Sequence, residues 1–298
     1  MRSSSSRSSL RLASCVGGAL LLLLLAVSSR AEEFAIVSYN VHGLPAWIAR
    51  DDPKARMPAI GHLLAPYDVA LVQEDWSHHE LLSAAAGHAT QLGGNGPRAQ
   101  LLASFSFFCG GCGSGLSVFA ALPRERVLDV AAVPYDLCAD WLFGANDCWA
   151  TKGFLFARLR LASGAEVDLY DTHLEAGDGE DDLAVRELQL QKLRGFVTDR
   201  SEGHPVILGG DLNLPYDDTR QQALVQSFAS ALGLRDAGAR PGDTSRWEKR
   251  LDWILYRDGA DVSLTLLSNG EERAFVRDGA PLSDHPAVFA RFRVAAKR

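Results

Sequence analysis

Six short polar clusters stand where apolar, strand-like runs end: Tyr39-Asn40, Gln73-Glu74, Thr172-His173, Gly210-Asp211-Leu212-Asn213, Leu251-Asp252 and Ser283-Asp284-His285. Carboxylate and amide oxygens suit a hard divalent cation such as Mg²⁺, with Mn²⁺ or Co²⁺ as alternatives. A histidine held by a carboxylate suits proton transfer to or from water. Together these groups point to metal-assisted hydrolysis.

Each cluster also has a plainer reading. Glu74, after Val-Ala-Leu-Val-Gln, offers a bare carboxylate to a cation, or a solvated acid at a strand end. Asn40 is placed to ligate beside it, yet Asn before a Gly-containing turn also serves the turn alone. In Gly209-Gly210-Asp211-Leu212-Asn213 the glycines permit close backbone approach. Asp211 and Asn213, two apart, share a side of an extended segment and can hold a water and a phosphoryl oxygen; the alternative is an Asx-rich turn. His285, flanked by Asp284, suits a general base, and Asp252, at the head of the apolar Trp-Ile-Leu-Tyr run, is its expected carboxylate partner. His173 is a second imidazole, able to donate to an oxygen of a pentacoordinate phosphorus, or simply structural.

Strands at about 3.3 Å per residue bring such end residues to a common sheet edge, so the elements must be strands in layered sheets. Strand-like runs occur at Phe34–Tyr39, Val69–Gln73, Leu116–Ala121, Phe154–Arg160, Val167–Thr172, Val206–Gly210, Asp252–Tyr256 and Ala287–Val294. The clearest helix spans Asp182 to Arg200, with Leu183, Leu190, Leu193 and Val197 on one stripe and Arg186, Glu187, Gln191 and Arg194 off it. Weaker helices are expected at Met57–Ala65, Glu80–Ala86 and Gln221–Leu232. Gly93–Gly96 and Cys109–Gly115 read as surface loops. Strands in adjacent runs punctuated by few helices favour layered α/β packing with two sheets and outer helices, in one domain over residues 32–298.

Residues 1–31 read as a secretory leader: Arg2, Arg7 and Arg11 precede an apolar run from Ala19 to Val27, and Ser29-Arg30-Ala31 supplies small residues for cleavage. The run is well short of the roughly 20 residues a membrane anchor needs. Without the leader's four arginines, 26 basic residues face 37 acidic ones. That excess disfavours binding to a phosphate backbone, which relies on Lys and Arg. Export, to a periplasm or out of the cell, makes disulfides expected among Cys109, Cys112, Cys138 and Cys148, in any of three connectivities. The Cys-Gly-Gly-Cys spacing also fits a redox or zinc half-site, although no second pair accompanies it.

Y-N-V-H-G-L, V-Q-E, T-H-L, G-G-D-L-N, R-L-D-W-I and S-D-H-P, in this order, resemble the endonuclease/exonuclease/phosphatase superfamily over most of residues 34–294. The resemblance implies a DNase I-like four-layer α/β sandwich of two mainly antiparallel sheets, and a Mg²⁺-dependent phosphoesterase. It carries metal binding to Glu74 with Asn40 and Asp284 close by, the general base to His285 oriented by Asp252, and transition-state support to His173, Asp211 and Asn213. Thr151-Lys152-Gly153-Phe154, Thr172–Gly177 and the cysteine-bearing loop look most like the secreted sphingomyelinase C branch, with Lys152 beside the substrate phosphate. That branch implies a monomer acting on a phospholipid headgroup with peripheral membrane contact. The aromatic hairpin of secreted bacterial members is not evident; the apolar loop candidates are Leu44–Ile48 and Trp141–Phe143, for which core packing is the simpler expectation. Where DNA-repair members carry an acid two residues after the Asn, this chain has His42. A nuclease, an inositol-type phosphomonoesterase and a secreted binding protein with a relict site remain the alternatives.

Overall fold

Two strand–helix–strand crossovers place the polar clusters. The computed structural model describes residues 31–94, 113–139, 148, 150–238 and 250–297. In the first crossover β1 (Glu32–Asn40) is followed by a short helix α1 (Ala46–Ala49) and by α2 (Pro53–Leu64), which returns the chain to β2 (Val69–Gln73), parallel to β1. Asp52 starts α2, its Oδ1 accepting from the Ala55 N–H at 3.1 Å with Pro53 in the first turn. The helix therefore begins earlier than its apolar stripe suggests.

After α3 (His79–Ala86) come β3 (Thr90–Gly93), β4 (Ser117–Ala120), β5 (Val127–Pro134) and β6 (Gly153–Arg160). The second crossover joins β7 (Glu166–His173) through α4 (Glu180–Arg200) to its parallel neighbour β8 (Val206–Asp211). Then follow α5 (Thr219–Leu232), β9 (Arg235–Asp236), β10 (Asp252–Arg257), β11 (Val262–Glu271), a small hairpin of β12 (Val276–Arg277) and β13 (Ala280–Pro281), and β14 (Val288–Ala296). Parallel neighbours need a crossover, and both of these deliver strand C-termini to the same edge.

The two sheets run β11-β14-β1-β2-β4-β3 and β5-β6-β7-β8-β10-β9. Each has one parallel pair and is otherwise antiparallel. Phe34, Ile36, Leu71, Leu169, Ile207 and Ile254 pack between the sheets. Met57, Ile60, Leu64 and Leu82 of α2 and α3 cover the outer face of one sheet. Leu190, Leu193, Val197, Val225 and Phe228 of α4 and α5 cover the other. This is the expected four-layer sandwich. A Cβ at Gly209 would lie 2.6 Å from Leu71 Cδ1 across the sheet interface. Gly209→Ala should therefore cost about 2 kcal/mol by overpacking, read as a lower denaturation midpoint.

Besides the two-residue strands, β3, β5 and β11 carry no clear signal in the sequence. The latter two are half-exposed along much of their length, so neither shows clean alternation. Gly93, expected in a loop, is the last residue of β3. The expected surface loop before β4 is partly an interior segment. Ser114 is buried, Gly113 carbonyl accepts from Trp76 Nε1 at 2.8 Å, and a Cβ on Gly115 would meet the Trp76 ring. Cys109 and Cys112, Asn95-Gly96, Trp141–Phe143 and the leader up to Arg30 lie outside the described residues. No helix among the described residues is long and apolar enough to cross a membrane.

Candidate active site

Strand register assembles the site. At the ends of the parallel pairs Asn40 lies opposite Gln73, and His173 opposite Asp211. The antiparallel pairing of β8 with β10 sets Asp252 opposite Asp211. The sheets face one another, so Asn40 Nδ2 of one reaches Asp211 Oδ2 of the other at 3.1 Å, across 171 residues of sequence.

Asp211 Oδ2 is the centre of the cluster, with His173 Nε2 at 3.4 Å and His285 Nε2 at 3.6 Å. His285 Nδ1 donates to Asp252 Oδ2 at 2.9 Å, which fixes the ring and leaves Nε2 facing the cluster. Burial pulls the His285 pKa down, but the carboxylates of Asp252, Asp211 and Asp284 override it and push it up to about 11. Burial raises Asp252 to about 6 against the opposing pull of His285. At neutral pH, without added positive charge, the two form an imidazolium–carboxylate pair. Asp211, Asp252 and His285 offer atoms within 4.8 Å of one another. With Nδ1 committed to Asp252, this trio is better suited to moving a proton than to holding a cation.

Lys152, nearly fully buried, donates to His173 Nε2 at 3.1 Å and to the Leu174 carbonyl at 2.7 Å. Asn213 Nδ2 donates to the same carbonyl at 3.0 Å, and its own N–H bonds Asp211 Oδ1 at 2.9 Å. Burial, then Lys152 and His285, hold His173 well below the ordinary histidine pKa, so it is neutral.

On the other flank Glu74 Oε1 accepts from Asn40 Nδ2 at 3.1 Å, while its buried Oε2 has no hydrogen bond among the described residues. Burial raises the Glu74 pKa. A buried carboxylate oxygen without a donor fits a cation ligand, and an oxygen donor set suits Mg²⁺ or Mn²⁺. Asn40 turns its amide nitrogen to Glu74 and Asp211, and its Oδ1 accepts from the His42 N–H at 3.0 Å. Its expected role as an oxygen ligand requires that amide to rotate. Asp284, well exposed, connects through His42, whose Nδ1 lies 3.3 Å from Asp284 Oδ2 and 3.8 Å from Glu74 Oε2. His42, Glu74 and Asn213 all adopt left-handed backbone conformations uncommon for such residues, a local strain that clusters here.

Further residues position the clusters, and of these Arg56, Arg186 and Gln189 carry no sequence signal for that role. Arg56 clamps the carbonyls of Val41, His42 and Leu282, and Ser283 Oγ donates to the Asn40 carbonyl at 2.7 Å, tying the last cluster to the first. Arg186, expected on the polar side of α4, is buried and donates to the Glu175 and Gly177 carbonyls, while Gln189 Oε1 accepts from the Glu175 N–H. Together they hold the loop beyond His173. Cys138 and Cys148 form a disulfide close before Lys152. Arg250, Phe275, Ser283, Asp284 and His285 line a groove of about 480 Å³ beside the dyad, within the size range of small-molecule sites. Trp47 is 63% exposed and Ile48 44%, so this candidate loop does not pack into the core.

A two-sheet α/β sandwich, with a histidine–carboxylate dyad facing a glutamate whose buried Oε2 lacks a donor among the described residues, has the architecture of a DNase I-like fold. Residues 37–285 match the family described as Endonuclease/Exonuclease/phosphatase, and the chain belongs to that family. It is 31% identical over 277 residues to a sphingomyelinase of Mycobacterium tuberculosis, covering 86% of this chain and 52% of the relative. It is 29% identical over 194 residues to an inositol phosphosphingolipids phospholipase C of Schizosaccharomyces pombe, covering 62% of this chain and 42% of that one. The chain thus spans about half the length of these relatives or less. Among solved structures, beta toxin from Staphylococcus aureus with bound magnesium ions superposes with a TM-score of 0.62 at 17% identity, covering 89% of this chain and 100% of that one. D. rerio TDP2 complexed with a single-strand DNA product superposes at 0.66 with 18% identity, covering 88% and 99%. At such identities these two show the fold alone.

Proposed function

We propose that this protein is an exported, Mg²⁺-dependent phosphodiesterase that hydrolyses a phospholipid headgroup in the manner of a sphingomyelinase or phospholipase C, with residues 32–298 as its catalytic domain and 1–31 as a removed leader. One observation carries the chemistry. The His285–Asp252 dyad and the donor-poor Oε2 of Glu74 flank the same Asp211–Asn40 bridge. The sphingomyelinase and phosphosphingolipid phospholipase C relatives support the substrate class. The Cys138–Cys148 disulfide supports an oxidising compartment, and the acidic balance of the chain argues against nucleic acid.

Glu74 and Asn40, with Asp284 nearby, would hold the cation, which when bound supplies charge neutralisation and polarisation at the phosphoryl oxygens. His285 removes a proton from water while Asp252 fixes its ring, and the water oxygen attacks phosphorus as the bond to the lipid oxygen breaks. Lys152 and Asn213 meet at the Leu174 carbonyl, where their donors can meet charge developing on phosphoryl oxygens, and neutral His173 accepts from Lys152 and positions it.

Incubating the purified protein with Mg²⁺ or with EDTA against sphingomyelin vesicles, phosphatidylcholine vesicles, plasmid DNA and inositol phosphates tests the reading. Mg²⁺-dependent phosphocholine release is expected; nicked plasmid or free phosphate would replace the substrate class. In the same assay Trp47→Ala should lower turnover of vesicle-borne sphingomyelin by about tenfold and leave a soluble phosphodiester unaffected, because an exposed Trp-Ile pair suits a membrane interface. Equal loss on both substrates would remove the membrane role.

A further inference from the structure

The His42 side chain stands between Glu74 and Asp284, the two carboxylates expected at the cation. We infer that His42 is a nitrogen ligand of the divalent-metal site and shifts its preference from Mg²⁺ toward Co²⁺. The inference rests on the reading of Glu74 and its neighbours as a metal site.

Three observations converge on the imidazole. Its Nδ1 lies 3.8 Å from Glu74 Oε2 and 3.3 Å from Asp284 Oδ2, so it stands between the two carboxylates. Donors that share an octahedral ion with bonds of about 2.1 Å lie about 3.0 Å apart when adjacent and about 4.2 Å apart when opposite; the contact to Asp284 is within about 0.3 Å of the adjacent spacing, and the contact to Glu74 is within about 0.4 Å of the opposite one. The Glu74 oxygen nearest the ring is the buried one that has no hydrogen bond among the described residues.

The ring is also held in place. His42 adopts a left-handed backbone conformation, and its carbonyl accepts from Arg56 Nη2 at 2.9 Å. Arg56 in turn grips the Val41 and Leu282 carbonyls, so His42 is coupled to both the strand end that carries Asn40 and the loop that carries Asp284. The chemistry then sets the direction of the effect. A site of oxygen donors alone suits Mg²⁺, whereas one imidazole nitrogen among them favours later first-row cations.

The test uses the whole protein and reads the bound metal directly. Mn²⁺ binding is titrated by electron paramagnetic resonance, and pulsed measurements on the bound ion look for modulation from a directly coordinated imidazole nitrogen. Mg²⁺ and Co²⁺ affinities are measured by calorimetry. Two variants are compared, His42→Asn and His42→Gly, because both residues tolerate the left-handed backbone here. Nitrogen modulation is expected in the wild type and lost in both variants, and the Co²⁺-over-Mg²⁺ affinity ratio should fall by about tenfold. If Mn²⁺ binds but shows no nitrogen modulation, or if modulation and ratio persist in the variants, His42 is not a ligand and the metal reading of Glu74 stands. If the wild type binds no Mn²⁺, the metal reading itself fails, and this inference with it.

Discussion

Replacing His285 with Ala should lower phosphodiester turnover by about 10³-fold while the circular dichroism spectrum is retained, since a positioned general base contributes a factor of that order. His285 is the imidazole with one nitrogen fixed, by Asp252 at 2.9 Å, and the other facing the cluster. The variant also has a stability signature that a bystander would lack. The folded-state pKa of His285 is raised to about 11 by Asp252, Asp211 and Asp284 against the effect of burial. A raised pKa contributes stability that is fully present below the ordinary histidine value of about 6.5 and is lost as pH rises through about 11. In the presence of EDTA the variant should therefore be less stable than wild type at neutral pH, by about 3 kcal/mol, because the buried Asp252 and Asp211 lose the half-buried cation beside them. The difference should close toward pH 11. The same raised pKa means that the imidazole is protonated at neutral pH in the metal-free protein, and in the proposed mechanism it would work as a base only once positive charge joins the carboxylate cluster. Normal turnover in His285→Ala would remove the dyad from the mechanism.

Glu74→Gln should separate function from stability in opposite directions. Turnover is expected to fall by at least about 10²-fold through weakened metal binding, following the sensitivity of metal sites to their ligand shells. Metal-free stability should rise by about 1 kcal/mol, because a buried carboxylate oxygen without a donor is replaced by a neutral amide. Burial raises the Glu74 pKa in the folded state, so the wild-type penalty is present above that pKa and is relieved as pH falls toward the ordinary glutamate value of 4.5. The advantage of the Glu74→Gln variant should therefore be seen at neutral pH and vanish in acid. Adding Mg²⁺ should raise the melting temperature of the wild type, as a ligand that binds only the folded state must, and leave Glu74→Gln nearly unchanged. Equal stabilisation of both by Mg²⁺ would move the cation away from Glu74.

What can be read from the sequence is local. The run Val69–Gln73 is a strand to the residue, because five consecutive buried positions between turn-forming segments leave little other choice. The stripe Leu183, Leu190, Leu193 and Val197 is the buried face of α4, as helical periodicity requires. Polar residues at the ends of apolar strands announce that a site exists, since a strand buried along its length presents functional groups only where it leaves the core. The motif order is enough to indicate the two-sheet sandwich.

The rest depends on which distant surfaces meet. β5 and β11 have few buried positions of their own, and pairing with β6 and β14 makes them strands. Arg186 reads as a solvated helix residue and becomes a buried donor only because the loop at Glu175–Gly177 folds over it. Trp47 has every local reason to be buried and is exposed, because no other element among the described residues covers it. The pairing of His285 with Asp252 is expected from the sequence, whereas the other groups that face them are beyond local reading. Asn40 and Asp211 meet through the stacking of two sheets, and His42 comes to lie between Glu74 and Asp284 through a strained turn clamped by Arg56. Strand ends and the kinds of groups they bear follow from periodicity and side-chain chemistry, which the linear chain already contains. The partners of those groups, and the charge states that result, follow from burial, desolvation and pairing, which are properties of surfaces that the chain brings together only on folding.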